Sequence, residues 1–238
     1  EHGALDIRKG RTRGIQREYV EGSHWYGGIV SREMYAEQGE KSIEFQDTAI
    51  FISDLEFKEP ADAAPPVRAA LQAGKRSLIL LGANFSDRVI GFLLTNTDKE
   101  KFRILAVETP GLQVEDRAVA MQDLALLTGG APFIKEMGQA ITNVRPEHLG
   151  IARVAWANRF NFGVRGGKGD PRALRRHIKA LQQGYKNSDD PDVREKLQKR
   201  IGKLMGGSAT LRVGAHTEED MQTRKRLAET TANALRGA

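Results

Sequence analysis

The chain has 238 residues, 39% apolar and 29% charged, with 37 Lys and Arg against 31 Asp and Glu for a net charge of +6. That composition describes a folded globular protein and excludes a disordered or fibrous one. Cysteine is absent, which excludes disulfides, thiolate metal sites and cysteine nucleophiles among these residues and fits a reducing cytoplasm.

No stretch is long and apolar enough to span a bilayer. The opening residues, Glu1 to Asp6, lack the basic start and apolar core of a secretion signal. Residues 13–35 are rich in glycine and aromatics, including Gly22, Trp25, Tyr26, Gly27 and Gly28. A strand-then-helix grammar follows. Thr48–Ser53 is an apolar run ending at Asp54 and reads as a buried strand. Pro65–Ala73 reads as a helix, with prolines at its start and Gly74 past its end. Ser77–Leu81 is the next strand. Asp87–Thr97 is a helix with Ser86 as its N-cap.

Phe102–Val107 reads as a strand closed by Pro110 and Gly111, and Asp116–Leu127 as a helix stopped by Gly129 and Gly130. Pro132–Ile134 is expected to return to the sheet, with further strands at Arg153–Ala157 and Asn161–Val164. Arg172–Tyr185 and Val193–Met205 form an antiparallel helical hairpin, with Asp190 and Pro191 as cap and first turn of the second helix. Ala209, Leu211 and Val213 alternate as a strand. Thr217 caps a last helix over Glu218–Leu235. The expected class is therefore mixed α/β. Glycines at Gly22 and at Gly206-Gly207 suggest a middle domain inserted into a second one.

The segment from Gly163 to Gly169 is basic and glycine-rich, but it lacks Walker spacing and Lys168 is followed by Gly169; it reads as a hairpin loop. His2, His24, His148, His177 and His216 show no metal-ligand spacing. Asp189, Asp190 and Asp192 lack the glycine and terminal Glu of a calcium loop and read as helix caps. The densest basic run, Arg172 to Lys179, is backed by Leu174, Ile178 and Leu181. That pattern is a solvated helix face and points away from nucleic acid. One feature stands out. Val89, Ile90, Phe92, Leu93 and Leu94 cover more than the apolar arc of roughly 100° that a surface helix needs. The helix is either buried on two sides or presents an apolar patch for binding.

Ordered strings along nearly the whole chain resemble the bacterial group I chaperonins, the GroEL type. They include Val20-Glu21-Gly22, Gly74-Lys75, Pro110-Gly111, Gln122-Asp123-Leu124-Ala125 and Leu127-Thr128-Gly129-Gly130. Leu149-Gly150, Arg194-Glu195-Lys196-Leu197-Gln198, Gly206-Gly207, Val213-Gly214-Ala215 and Thr217-Glu218 continue the match.

The resemblance implies a polypeptide-binding apical domain over residues 22–205, a sheet with flanking helices and the helical hairpin. Residues 1–21 and 206–238 would be parts of a small α+β intermediate domain, hinged at Gly22 and Gly207. The equatorial domain, with its ATP and magnesium site, would lie outside this segment. The fragment would then need no cofactor and not be an enzyme. It implies a groove at Ile29, Glu33, Met34, Ala64, Val67, Val89, Leu93 and Leu94 that takes non-native polypeptides and a co-chaperonin. A full-length protein would form a homo-oligomeric ring, the fragment a monomer or a weak associate. Tyrosines usual in the family at the positions of Ile29 and Glu33, its phenylalanine at Met34 and its leucine at Ala64 are missing, which weakens the loop and first helix. The family's ATPase aspartate aligns with Thr230, which cannot serve as a carboxylate base. The alternative implied reading is a chaperonin-like scaffold that has lost ATP-driven folding. Val89, Leu93 and Leu94 are all expected to be partly exposed.

Overall fold

A computed structural model describes residues 4–10, 14–35, 41–98, 101–111 and 114–237. His2 lies outside the described residues. In chain order the elements are β1 (Ala4–Lys9), β2 (Ile15–Glu21), β3 (Ser23–Tyr26), β4 (Ser42–Phe51), β5 (Glu56–Phe57) and α1 (Pro60–Gln72). Next come β6 (Ser77–Gly82), β7 (Asn84–Phe85), α2 (Asp87–Thr95), β8 (Arg103–Glu108) and α3 (Val114–Thr128). The chain continues with β9 (Gly150–Asn158), β10 (Asn161–Gly167), α4 (Pro171–Asn187), α5 (Pro191–Leu204), β11 (Gly207–Val213) and α6 (Glu218–Gly237). The protein is mixed α/β.

Six strands form one sheet in the order β3-β10-β9-β4-β6-β8. The pairs β4–β6 and β6–β8 are parallel, while β4–β9 and β9–β10 are antiparallel. β6, β8 and the part of β4 that pairs with β6, Ala49–Phe51, are apolar runs because both their faces are covered. On one face Ile50, Ile79, Leu81 and Leu105 pack with Met121 and Leu124 of α3. On the other, Ala49, Phe51, Leu78, Leu80 and Ile104 pack with Ala63, Ala69 and Ala70 of α1 and Val89 and Leu93 of α2. Side chains of a strand alternate between faces, so one sheet separates two cores.

The helix starts follow local chemistry. Helix α1 begins at Pro60, earlier than the expected Pro65, because Asp62 Oδ2 accepts from the amides of Lys58 and Glu59, each at 2.9 Å. Pro65 and Pro66 therefore sit inside the helix. In α2, Ser86 Oγ accepts from the Val89 amide at 3.3 Å. Asp190 caps α5 through the Asp192 and Val193 amides. Short β5 and β7 pair in parallel, with Phe57 and Phe85 stacked at 4.8 Å. A Cβ on Gly82 would come within 2.6 Å of the Phe57 ring, so this strand end requires glycine. The expected strand at Pro132–Ile134 reduces to a single bridge between Ser53 and Phe133.

The contacts divide the chain into Glu1–Ser23 with Arg175–Ala238, and His24–Leu174. The first boundary lies beside Gly22. The second differs from the expected 205, because the helical hairpin groups with the terminal segments. The physical reason is its packing: α5 lies against β1 and β11, and Ser23 Oγ donates to the Lys203 carbonyl at 2.5 Å. In this terminal unit β11 lies between β1, which it pairs in parallel, and β2, which it pairs antiparallel. Gly22 (φ 93°) and Gly206 (φ 85°) both take left-handed backbone, and the Gly22 amide donates to the Gly206 carbonyl at 3.0 Å. Gly207, expected as the second hinge, is instead the first residue of β11 and pairs with Glu21. The side chain of Ala209 lies outside the described residues, whereas Val213 is buried.

Candidate polypeptide-binding surface

Helices α1 and α2 follow successive strands of the parallel half of the sheet and pack as neighbours. Each turns its core stripe inward. In α1 the fully buried residues are Ala63, Ala69 and Ala70, and in α2 they are Val89 and Leu93, both with no exposed surface. Partial exposure of Val89 and Leu93 is the expectation from their apolar surplus; the structure corrects it, because both side chains face the sheet. These two lie one turn apart, at i and i+4, and that stripe meets the sheet. Burying each stabilises the fold by roughly 1.5–3 kcal/mol.

What remains partly exposed is a different set, of which Ile90 and Phe92, like Val67 of α1, also pack against the sheet core. Leu94 is half-buried, as are Ile90 and Phe92. Leu94 lies about 100° around the helix from Leu93. On α1, Ala64 and Val67 are half-buried and Leu71 is 54% exposed. Ala64, Val67 and Leu71 fall at i, i+3 and i+7 and so form one stripe. Sequence reasoning missed Leu71, and it counted Ile90 in the apolar surplus without placing it in the groove. Their spacing from Ala64, Val67 and Leu94 was the available signal.

The loop residues are dispersed. Ile29 is buried and forms an antiparallel bridge with Val107, while the Val30 amide donates to Ala106 and the Glu108 amide to Gly28. Residues 28–30 thus cover the outer edge of β8, and Ile29 belongs to the core and not to an open groove. Met34 is half-buried against both cores, its Sδ 3.4 Å from the Ala106 amide. Glu33 is exposed on a 3-10 turn over Arg32–Met34, where its amide is capped by Ser31 Oγ. Thr230 is exposed on α6, and its neighbour Glu229 pairs with Lys225 at 3.6 Å.

The glycine-rich segment has a structural use. The Gly169 amide donates to the Leu127 carbonyl at 2.9 Å, and the Lys168 amide to Ile151 at 2.9 Å. This segment therefore caps the C-terminal turn of α3, whose last carbonyls otherwise lack partners. A Cβ on Gly167 or Gly169 would run into the carbonyl oxygens of Leu127 and Leu126. Lys168 itself pairs with Asp47 at 3.2 Å, and Lys75 does so at 2.8 Å. Asp47 adopts φ 43° between the paired positions Gln46–Val154 and Thr48–Ala152. The hydrogen bond from Lys75, then that from Lys168, holds its carboxyl below the ordinary value of 3.8.

A depressed carboxylate contributes stability above its unfolded pKa and loses it as pH falls through the folded one. Asp47 is largely exposed, so solvent screening limits its contribution to a few tenths of a kcal/mol. Asp47→Asn is expected to lower stability slightly at pH 7 and by less near pH 2, below the ordinary carboxylate value. Urea unfolding at the two pH values checks this; an equal loss at both would contradict it.

In α4, Arg172, Arg175, Arg176 and Lys179 are exposed while Leu181 is buried. Among the described residues no cluster of three His, Asp or Glu side chains is placed to hold a metal, and no helix is long and apolar enough to cross a membrane. No family model matches the chain.

Proposed function

We propose that this chain is a chaperone module that holds non-native polypeptide on the outer apolar flanks of α1 and α2. The observation that carries the reading is the stripe of Ala64, Val67 and Leu71 beside a helix that also presents Ile90 and Leu94. Apolar side chains concentrated on neighbouring helices mark a binding surface more often than solitary ones do. A helical or extended segment laid there buries apolar anchors without sequence-specific polar contacts. Occupants of that kind include unfolded chains and the mobile loop of a co-chaperonin. The family resemblance supports the same assignment, with Ala64, Val67 and Leu94 retained as site residues and Ile29, Val89 and Leu93 given to the core. Glu33 and Thr230, which depart from the family pattern, bear on a second reading, a scaffold without ATP-driven folding.

The test is retention of an unfolded model protein by immobilised wild type, Leu71→Glu and Leu94→Glu at low and high salt. Each charge would be desolvated against apolar groups, so each variant is expected to weaken binding by more than about 1 kcal/mol. Added salt should leave wild-type binding in place. Unchanged retention by both variants, together with loss at high salt, would transfer the assignment to the basic faces.

A further inference from the structure

Between α3 and β9 the chain makes three short 3-10 turns, Lys135–Met137, Ile141–Asn143 and Pro146–His148. Residues of the last two turns and of the segments beside them line a cleft of about 610 Å³, within the range of small-ligand sites. Its apolar part is Ala131, Phe133 and Val144, and its polar part includes Gln139, Arg145 and His148. No Asp or Glu is among its described lining residues.

Beside Thr142 and Asn143, which can both donate and accept, the other three polar side chains present donors. Gln139 Oε1 accepts from the Ile134 amide at 2.8 Å. Its acceptor atom is therefore engaged, and the NH₂ group remains to meet a ligand. His148 Nδ1 accepts from the Arg145 amide at 3.1 Å. A neutral imidazole with a lone pair at Nδ1 carries its proton on Nε2, so it too offers a donor. The imidazole is held edge-on to Phe133, with ring centroids 5.4 Å apart. The Arg145 guanidinium can only donate. Its Nη1 pairs with Glu147 at 3.2 Å, but its side chain is 69% exposed, and the remaining N–H groups of the fork stay available. Two side chains that ordinarily both donate and accept have thus given their acceptors to the backbone, beside a cation and over an apolar floor.

We propose that this cleft binds a carboxylate carried on an apolar body about the size of one side chain. The carboxylate is an acceptor-only group that matches the donors, and Phe133, Ala131 and Val144 receive the body. Two sources share that chemistry, a free N-acylated amino acid and the C-terminal residue of a polypeptide. None of the cleft's lining residues belongs to the stripe on α1 and α2, so failure at this site would leave that reading untouched.

The experiment titrates the chain with N-acetylphenylalanine while backbone amide NMR signals of Ala140, Thr142 and Val144 are followed. N-acetylphenylalaninamide is the neutral control. A hexapeptide ending in Phe distinguishes the sources. Saturable shifts are expected with the acid, and roughly tenfold weaker binding with the amide, the scale of one charge-assisted hydrogen bond. Gln139→Glu keeps an oxygen for the Ile134 amide but replaces the donor with a negative charge. It is expected to lower affinity at least about tenfold while its unfolding midpoint stays near wild type. Arg145→Gln is expected to weaken binding in the same direction. Tighter binding of the hexapeptide than of the single residue assigns a chain terminus, and equal or weaker binding assigns a free small molecule. Absence of saturable shifts, equal affinity for acid and amide, or unchanged affinity in Gln139→Glu overturns the proposal.

Discussion

Leu93→Glu is expected to remove most of the stability of the sheet domain, whereas Leu94→Glu is expected to leave it folded. The residues are adjacent in sequence and identical in type, yet Leu93 has no exposed surface and lies in the core with Phe51, Leu80 and Ile104, while Leu94 is half-buried. Glutamate at position 93 loses a buried leucine and places a carboxylate among apolar groups with no partner. Together these cost roughly 4–5 kcal/mol or more, against a total stability of about 5–15 kcal/mol for a domain of ordinary size. At position 94 the charge can reach water, and the cost should stay near 0.5–1 kcal/mol. Urea unfolding followed by Trp25 and Trp156 fluorescence checks both variants. Equal losses at 93 and 94 would mean that α2 is rotated from the orientation described.

The second large effect is expected at Gly169. Its missing side chain lets the backbone approach α3, and its amide caps the Leu127 carbonyl at 2.9 Å. An added methyl would strike the Leu126 carbonyl oxygen. Backbone cannot swing aside as a side chain can, so Gly169→Ala must displace the cap or the helix end. A loss of about 3 kcal/mol is expected, at the upper end for overpacking. Lys168→Ala, beside it, removes one exposed ion pair with Asp47 and should cost less than about 1 kcal/mol. Thermal unfolding of the two variants separates a packing role for the glycines from an electrostatic role for the lysine. A neutral Gly169→Ala would contradict the packing account.

These contrasts also mark how far the sequence was legible. Strands β6 and β8 are continuous apolar runs, because both faces of a central parallel strand are buried, and their ranges were readable within a residue or so. Helices α2, α5 and α6 carried their caps in plain view at Ser86, Asp190 and Thr217. Strands β1 and β2 were not legible. They are stabilised by pairing with β11, some two hundred residues away in sequence, as in Ala4 opposite Ser208. The first half of β4 was missed because Ser42, Glu44 and Gln46 are exposed between buried Ile43 and Phe45, a short alternation that stands out less than a run.

The candidate surface was legible by element more than by residue. The apolar surplus on α2 singled out that helix, and the structure divides it between buried Val89 and Leu93 and half-buried Ile90, Phe92 and Leu94. Which side chains face inward depends on the strands at both its ends, and that constraint directs Val89 and Leu93 to the sheet. Ile29 was misplaced for a similar reason: it fills the edge of β8 through a bridge to Val107, a nonlocal pairing that no local pattern reveals. The glycine-rich segment was read as a loop, and its real constraint, the end of α3, lies some forty residues earlier.

The most direct test of the proposed binding surface is methyl NMR of the chain titrated with an unfolded, protease-resistant polypeptide at two salt concentrations. Shifts and line broadening are predicted at Val67, Leu71, Ile90 and Leu94, with much smaller changes at Leu80 and Leu105 in the cores and no dependence on salt. Perturbations concentrated along the basic face of α4 and lost at high salt, with Leu71 and Leu94 unmoved, would contradict it.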